Sequence, residues 1–273
     1  MKKYIKIDIQ TATPEQADIL IASMSDQHYY AFEQEGNKLV AYITEEDFDE
    51  NALNELVNNQ DIISKSIIDD TNWNKQWESD FKPVRIGDFA VIRAAFHEQP
   101  QEVKHDLLIT PKMSFGTGHH ATTWLMVAQM EHINFKNKKV LDFGTGTGVL
   151  AILAEKLGAS QVMAIDLDEW SINNTLENAE TNNCTKINVE LRDNLEGLES
   201  AEVILANINL NILNQFSASI SGLQEVGGAL LVSGFLSGDA ETITTIFAEK
   251  NYMKKKQMDR ENWVSILFEK KSS

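Results

Sequence analysis

At 273 residues the chain is long enough to bury a full core, as one large domain or as a large and a small one. Its 41 acidic against 24 basic side chains leave a net charge of −17, which disfavours a wide polyanionic partner, nucleic acid above all, and favours steering of a basic protein. Cys184 is the single cysteine, which excludes an intrachain disulfide and a thiolate zinc cluster.

The opening residues, MKKYIKIDIQ, alternate through Tyr4, Ile5, Ile7 and Ile9 and predict a strand, with no apolar signal-peptide core. No long apolar run follows, so a cytoplasmic protein without a membrane segment is expected, monomeric by default. Thr13 before Pro14 starts a helix to about Met24. His28 to Glu33 and Lys38 to Ile43 read as strands joined across Gly36 and Asn37. The acids Glu45 to Asp49 open a second helix through Leu53, Leu56 and Val57, and Ile62 to Ile68 supplies a further strand. Strand, helix, strand, strand, helix, strand is the order of a small ferredoxin-like α+β domain, taken as residues 1–68. Its 13 acidic and 5 basic residues give a charge of −8, and it has no glycine-rich ligand loop. A binding platform or a stabilising appendage fits it better than a second active site.

Residues 69–86 are expected to form a linker helix, with Trp73 and Trp77 one turn apart and Phe81 next in line, pinning the small domain to a large one over 87–273. Gly87 to Ala95 and His105 to Thr110 look like short strands without the basic and aromatic interleaving of a single-strand nucleic-acid binder. Met113 to Thr123, MSFGTGHHATT, then enters a helix through Leu125, Val127 and Met130. Adjacent His119 and His120 do not converge as helical i, i+4 pairs do, and no carboxylate or cysteine set completes a metal site. A substrate or cofactor lid is the better use of that segment.

The stretch KVLDFGTGTGVLAILAEKL, Lys139 to Leu157, reads as a buried strand, a turn punctuated by Gly144, Gly146 and Gly148, and a helix. Glycines permit a sharp turn and close approach of a ligand to backbone N–H groups, but G-x-G-x-G lacks the spacing of the dinucleotide fingerprint. Asp142 places a carboxylate at the mouth of the turn, which suits a cationic or hydroxyl-rich ligand better than a pyrophosphate. The strand Gln161 to Ile165 ends in Asp166, where such folds place a ribose-hydroxyl acceptor.

Trp170 to Asn182 predicts a helix with a solvated asparagine-rich face, and Ile187 to Leu191 a third strand, after which Arg192, Asp193 and Asn194 could frame an adenine. Val203 to Ala206 is a fourth strand with Asn207, Ile208 and Asn209 beyond its end, and Leu210 to Leu223 is helical. Ala229 to Ser233 is a strand, Gly234 to Leu236 a loop and Ala240 to Glu249 a helix, with strands near Tyr252 to Lys256 and Trp263 to Phe268 closing the sheet as an antiparallel edge hairpin. Asp142, Gly144, Asp166, Asp193 and Asn207 would gather at the carboxyl edge of one mostly parallel α/β sheet, where ligands of open sheets bind.

At these motifs the sequence resembles the Rossmann-like methyltransferases that use S-adenosyl-L-methionine, and within them the family acting on large-subunit ribosomal protein eleven. VLDFGTGTG at 140–148 resembles the first motif of the superfamily; MSFGTGHHATT at 113–123, DLDEWSINNTLENAETN at 166–182, ANINLNIL at 206–213, SGFL at 233–236 and NWNKQWESDFKP at 72–83 resemble the narrower family. The resemblance covers residues 70–269 well and the first 68 by architecture. It implies a ferredoxin-like domain that recognises the ribosomal protein, before or apart from ribosome assembly, and a catalytic domain that methylates lysine ε-amines and the N-terminal α-amine. Cofactor positions carried over are Thr123, Gly144, Asp166 and Asn207; Thr145 stands where relatives often carry cysteine, and Ala121 where several carry proline or an acid.

The reading of the residues adds Asp142, Gly146 and Asp193 to the cofactor side, assigns Asn207 and the Ile208 backbone to orienting the amine, with Asn209 behind them, and offers Phe115 or Phe235 as a ring closing over the site. A methyltransferase for another protein, a small amine or a nucleic-acid amino group, and a non-enzymatic ribosomal interaction protein, remain competing readings.

Overall fold

The structure, a computed structural model, describes residues 3–25, 27–29, 31–57, 61–69, 82–110 and 118–272. The predicted helix with Trp73, Trp77 and Phe81, and the stretch Met113 to Thr117 with Phe115, lie outside the described residues. The chain divides into two compact units, Met1–Phe81 and Lys82–Ser273.

In the first unit, β1 (Lys3–Gln10), α1 (Pro14–Ser25), β2 (Ala31–Glu35), β3 (Lys38–Thr44), α2 (Glu50–Leu56) and β4 (Ile62–Asp69) follow in the expected order. The sheet runs β2-β3-β1-β4, every pair antiparallel, which is the ferredoxin-like arrangement. Period-two alternation buries Ile7 and Ile9 of β1 with Leu39, Ala41 and Ile43 of β3 against Ala17, Leu20, Met24 and Leu53 of the helices. Two boundaries differ from expectation. The second strand begins at Ala31, because His28 sits in a turn at φ 67°, off the strand path. The second helix begins at Glu50, because Asp49 caps it by accepting from the N–H groups of Asn51 (2.7 Å) and Ala52 (3.4 Å), which leaves Glu45, Glu46 and Asp47 in the preceding turn.

The second unit opens with β5 (Val84–Ile86), β6 (Ala90–Arg93) and β7 (His105–Leu108), a three-stranded sheet with an antiparallel and a parallel pair. Two short strands were predicted here; Gly87, at φ 52°, turns the chain so that Val84–Ile86 folds back on Ala90–Arg93. The nearly buried Arg93 guanidinium grips the Asp106 carboxylate with two bonds, 2.8 and 2.7 Å, and so ties β6 to β7.

The main sheet contains β8 (Lys139–Phe143), β9 (Gln161–Asp166), β10 (Ile187–Leu191), β11 (Ala201–Asn207), β12 (Gln224–Leu236), β13 (Tyr252–Arg260) and β14 (Trp263–Lys270), ordered β10-β9-β8-β11-β12-β14-β13. The first five are parallel and the last two antiparallel, a Rossmann-like methyltransferase sheet with its edge hairpin. The helices are α3 (Ala121–Met130), α4 (Val149–Lys156), α5 (Glu169–Thr181), α6 (Leu210–Leu223) and α7 (Ala240–Ala248). Alternation splits the core cleanly: Val140, Val162, Ala164, Val203 and Leu205 face α3 and α4, while Leu141, Phe143, Ile165, Ile204 and Ala206 face α6 and α7. No helix among the described residues is long and apolar enough to cross a membrane.

Two expectations in this unit are corrected. Gly234, Phe235 and Leu236 do not form a loop: β12 continues through them, because a bulge at Gly234 (φ 97°) lets Phe235 and Leu236 resume pairing with Val264 and Trp263. Phe235 is 2% exposed in the core and closes over no ligand site. The asparagine-rich face of α5 is not solvated either, since Asn174, Asn178 and Asn182 are all buried.

Candidate active site

The carboxyl ends of β8, β9 and β11 converge with the start of α3. After β8 the chain turns through Gly144, Gly146 and Gly148 at φ 78°, 56° and 79°, the left-handed region that a side chain would strain. The turn is anchored to the end of β9. The N–H groups of Gly144 and Thr145 both donate to the Ile165 carbonyl (2.9 and 3.0 Å), that of Gly146 to Asp166 Oδ2 (2.9 Å), and that of Gly148 to Thr145 O (2.9 Å). Four backbone donors therefore already have partners, and an anion would find few left to bind. The expected cradle of N–H groups for the ligand is thus mostly committed to protein oxygens.

Asp142 lies on the sheet face that α4 covers, a carboxylate where neighbouring strands place Ala164 and Leu205. It is fully buried; its Oδ2 accepts from Thr145 Oγ1 (2.7 Å) and Ala151 N (3.2 Å), which ties turn and helix to the strand, while its Oδ1 has no partner. Burial pushes its pKa up to about 7 against the two hydrogen bonds, with the nearby Asp166 adding to the rise. Asp166 remains partly accessible, its second oxygen accepting from Asp168 N (3.1 Å).

Asn207 ends β11, and its Nδ2 approaches Thr123 Oγ1 of α3 at 3.5 Å, a long contact that brings these two predicted residues together. Its Oδ1 is buried without a partner. Ile208 donates its N–H to Ser233 O (3.1 Å) and is squeezed between two glycines: a Cβ at Gly144 would collide with its side chain, and one at Gly234 would lie 2.7 Å from its carbonyl carbon and 2.9 Å from its nitrogen. Asn209 caps α6, accepting from Ile212 N (3.1 Å), and so has a structural use. Asp193 is exposed in the loop after β10 and accepts from Asn194 (2.7 Å), and the neighbouring Arg192 N–H bonds Asp166 O at 2.8 Å. His120 is not a metal ligand candidate: its Nδ1 caps α3 at Thr122, and its ring packs edge-on against Trp263 at 4.6 Å. Among the described residues no group of three or more His, Cys, Asp or Glu could hold a metal.

The charge pattern separates this edge from the opposite one. A cavity of about 440 Å³ opens at the amino ends of β11 and β12, but four of the five charges lining it are paired, Lys138 with Glu202 and Lys255 with Glu269, and the fifth, Glu225, accepts from Ser200 Oγ at 3.3 Å. At the carboxyl edge the buried acceptor Asn207 Oδ1 has no donor, and Asp166 is open to a further one, whereas Asp142 is sealed beneath α4. Leu167 and Trp170, 76% and 77% exposed, add apolar surface beside Asp166. Such a set suits a ligand with hydroxyl and ammonium donors, a flat base and a net positive reacting end.

Sequence reasoning missed Thr175, Asn178 and Asn182. Their signal was the recurrence of Ser171, Asn174, Thr175, Asn178 and Asn182 at helical spacing, a polar stripe where a core face is normally apolar.

The family model for ribosomal protein L11 methyltransferase (PrmA) matches residues 5–271. A protein described as ribosomal protein L11 methyltransferase from Porphyromonas gingivalis is 41% identical over 261 residues, spanning 92% of this chain and 90% of its own. One of the same description from Phocaeicola vulgatus is 34% identical over 277 residues, spanning 97% and 99%. Among solved structures, the ribosomal protein L11 methylase of Lactobacillus delbrueckii subsp. bulgaricus superposes with a TM-score of 0.66 at 26% identity, covering 70% of this chain and all, 100%, of that one.

Proposed function

This chain belongs to the ribosomal protein L11 methyltransferase family and is an S-adenosyl-L-methionine-dependent methyltransferase; from that premise we propose that it methylates lysine ε-amines and the N-terminal α-amine of ribosomal protein L11. The residues at the carboxyl edge fit the cofactor. Asp166 would take the ribose hydroxyls, the turn at Gly144–Gly148 the methionine portion, and Thr123 and Asn207 the end nearest the reacting centre. When bound, the cofactor supplies a methyl carbon attached to a positively charged sulfur, open to direct displacement by a nitrogen lone pair.

The amine has to arrive uncharged. A lysine with its ordinary pKa near 10.4 is mostly protonated at pH 7, and reaching the free base costs about three pKa units, roughly 4 kcal/mol. An α-amine near 8 needs far less. The work left to this chain is to strip water from the amine, accept its N–H protons and aim its lone pair. Asn207 Oδ1, a buried acceptor without a donor, is the observation that carries the reading, because an uncharged amine offers the N–H it lacks. The Ile208 backbone stands next to it, held by Ser233 and by the glycines on either side.

The −8 charge of residues 1–68 supports recognition of a basic protein by the first unit. The test is to incubate the purified chain with methyl-labelled cofactor and, separately, L11, ribosomal RNA and small amines. Label on L11 at lysine and N-terminal nitrogens, located by mass spectrometry, is expected; label on RNA or on small amines at a comparable kcat/KM would contradict the reading.

A further inference from the structure

A turn built on three glycines loses more backbone freedom on folding than any other five-residue stretch, so something has to hold it in one shape. The end of β9 fixes the N–H groups of Gly144, Thr145 and Gly146, and Thr145 O that of Gly148. The turn's carbonyls are fixed from the other side, by α5. Thr175 Oγ1 donates to Gly146 O at 3.0 Å and Asn178 Nδ2 donates to Thr147 O at 2.8 Å, both among fully buried groups. The fit is also steric: a Cβ at Gly148 would stand 2.8 Å from Thr175 Cγ2 and 3.2 Å from its Oγ1.

The same helix face continues beyond the turn. Asn178 Oδ1 accepts from Thr110 N at 2.9 Å, and Asn182 closes on Leu108 twice, accepting from its N–H at 3.1 Å and donating to its carbonyl at 2.6 Å. Asn178 thereby bonds Thr147 on one side and Thr110 on the other, joining the glycine turn to the chain that leaves β7. Side chains here do what a neighbouring strand would do, bonding backbone groups of Leu108, Thr110, Thr147 and Gly146 in turn. An apolar face would pack the helix equally well but would leave these groups unpaired, at about 1–3 kcal/mol each.

We propose that Thr175 and Asn178 are positioning residues for the cofactor: they set the orientation of the Gly146 and Thr147 peptides, so the turn is shaped before the cofactor arrives. With both carbonyls held and the N–H groups of Gly144, Thr145, Gly146 and Gly148 taken by β9 and Thr145, little ordering is left for binding, and affinity is higher for it. The inference rests on the cofactor assignment and not on the identity of the methyl acceptor.

The test uses the full chain and S-adenosylhomocysteine titrated by calorimetry, with Tm and steady-state kinetics measured in parallel. Thr175→Val keeps the branched shape against Gly148 and removes only the bond to Gly146 O. It should weaken S-adenosylhomocysteine fivefold to tenfold and raise the cofactor KM likewise, with kcat at saturating cofactor within twofold of wild type. Thr175→Ser, which restores the hydroxyl, should recover the affinity. Asn178→Asp keeps the acceptor for Thr110 N and loses the donor to Thr147 O, and should weaken binding more, about thirtyfold. A Thr175→Val protein that is less heat-stable but binds as wild type does would overturn the proposal, because the helix would then serve stability alone. Equal loss in the serine and valine variants would overturn it too. Failure of the wild type to bind would remove the cofactor assignment first, and the positioning role with it.

Discussion

Two strand ends of the same sheet, that of β8 and that of β11, are built in opposite ways. Beyond β8 nearly every polar group is spoken for: the turn N–H groups by Ile165, Asp166 and Thr145, the carbonyls of Gly146 and Thr147 by α5, and one Asp142 oxygen by Thr145 and Ala151. Beyond β11 the backbone is equally constrained, with Ile208 wedged between Gly144 and Gly234, but the Asn207 side chain has only a 3.5 Å contact to Thr123 and an acceptor oxygen with no donor. A fully bonded turn is a rigid receptor that changes little when a ligand arrives, whereas a rigidly mounted side chain with an unmet bond supplies its interaction only when the reacting group comes. On the proposed function, the first end would hold the cofactor and the second would act on the amine.

Removing the unmet acceptor breaks the comparison most directly. Asn207→Ala should lower the single-turnover rate of methyl transfer by about 100-fold, the worth of a hydrogen bond to a developing charge, while Tm stays within a few degrees. A rate within threefold of wild type would leave Asn207 without the role given to it. Next is the mounting of that strand end. Gly234→Ala puts a Cβ onto the Ile208 backbone at a φ that side chains rarely adopt, which should cost about 1–3 kcal/mol of stability and cut the rate by about tenfold even in the fraction that stays folded. Urea unfolding and rate per folded molecule would read the two effects separately.

The smallest effect sharpens the other end. Asp142 holds its proton to about pH 7 in the folded protein and only to about 4 in the unfolded chain. Its contribution to stability is therefore full below about 4 and is lost as pH rises through about 7. Asn at this position keeps an acceptor for Thr145 and Ala151 and has no such loss. The Tm of Asp142→Asn relative to wild type should climb by about 5 °C from pH 5 to pH 8, and a pH-independent difference would mean that the carboxyl is already ionised in the folded state.

Much of this was legible in the sequence because period-two alternation and glycine placement are local signals. Val140, Leu141 and Phe143 with the following glycines announced the strand and turn, and the order of elements announced the four-stranded and the seven-stranded sheet, though not the three-stranded one between them in sequence. What escaped depends on partners distant in the chain. The α5 asparagines look solvated in isolation, since amides usually are, and are buried only because Leu108, Thr110 and Thr147 bring unpaired backbone groups to them. Gly234 to Leu236 reads as a loop because the bulge that keeps them in β12 is visible only against Val264 and Trp263. Asp193 is a member of the candidate site by its place at a strand end, and its exposed side chain lies one residue from Arg192, whose N–H bonds Asp166 O.

The measurement closest to the central contrast is a paired one, the dissociation constant of S-adenosylhomocysteine and the single-turnover rate at saturating cofactor, on Asp166→Ala and Asn207→Ala. The account predicts a crossed result: Asp166→Ala binds about thirtyfold more weakly but transfers methyl at near the wild-type rate once saturated, while Asn207→Ala loses under tenfold in binding and about 100-fold in rate. Equal losses in both quantities for both variants would contradict it, because the cofactor side, where Asp166 at the end of β9 anchors the turn after β8, and the Asn207 side would then be one undivided site.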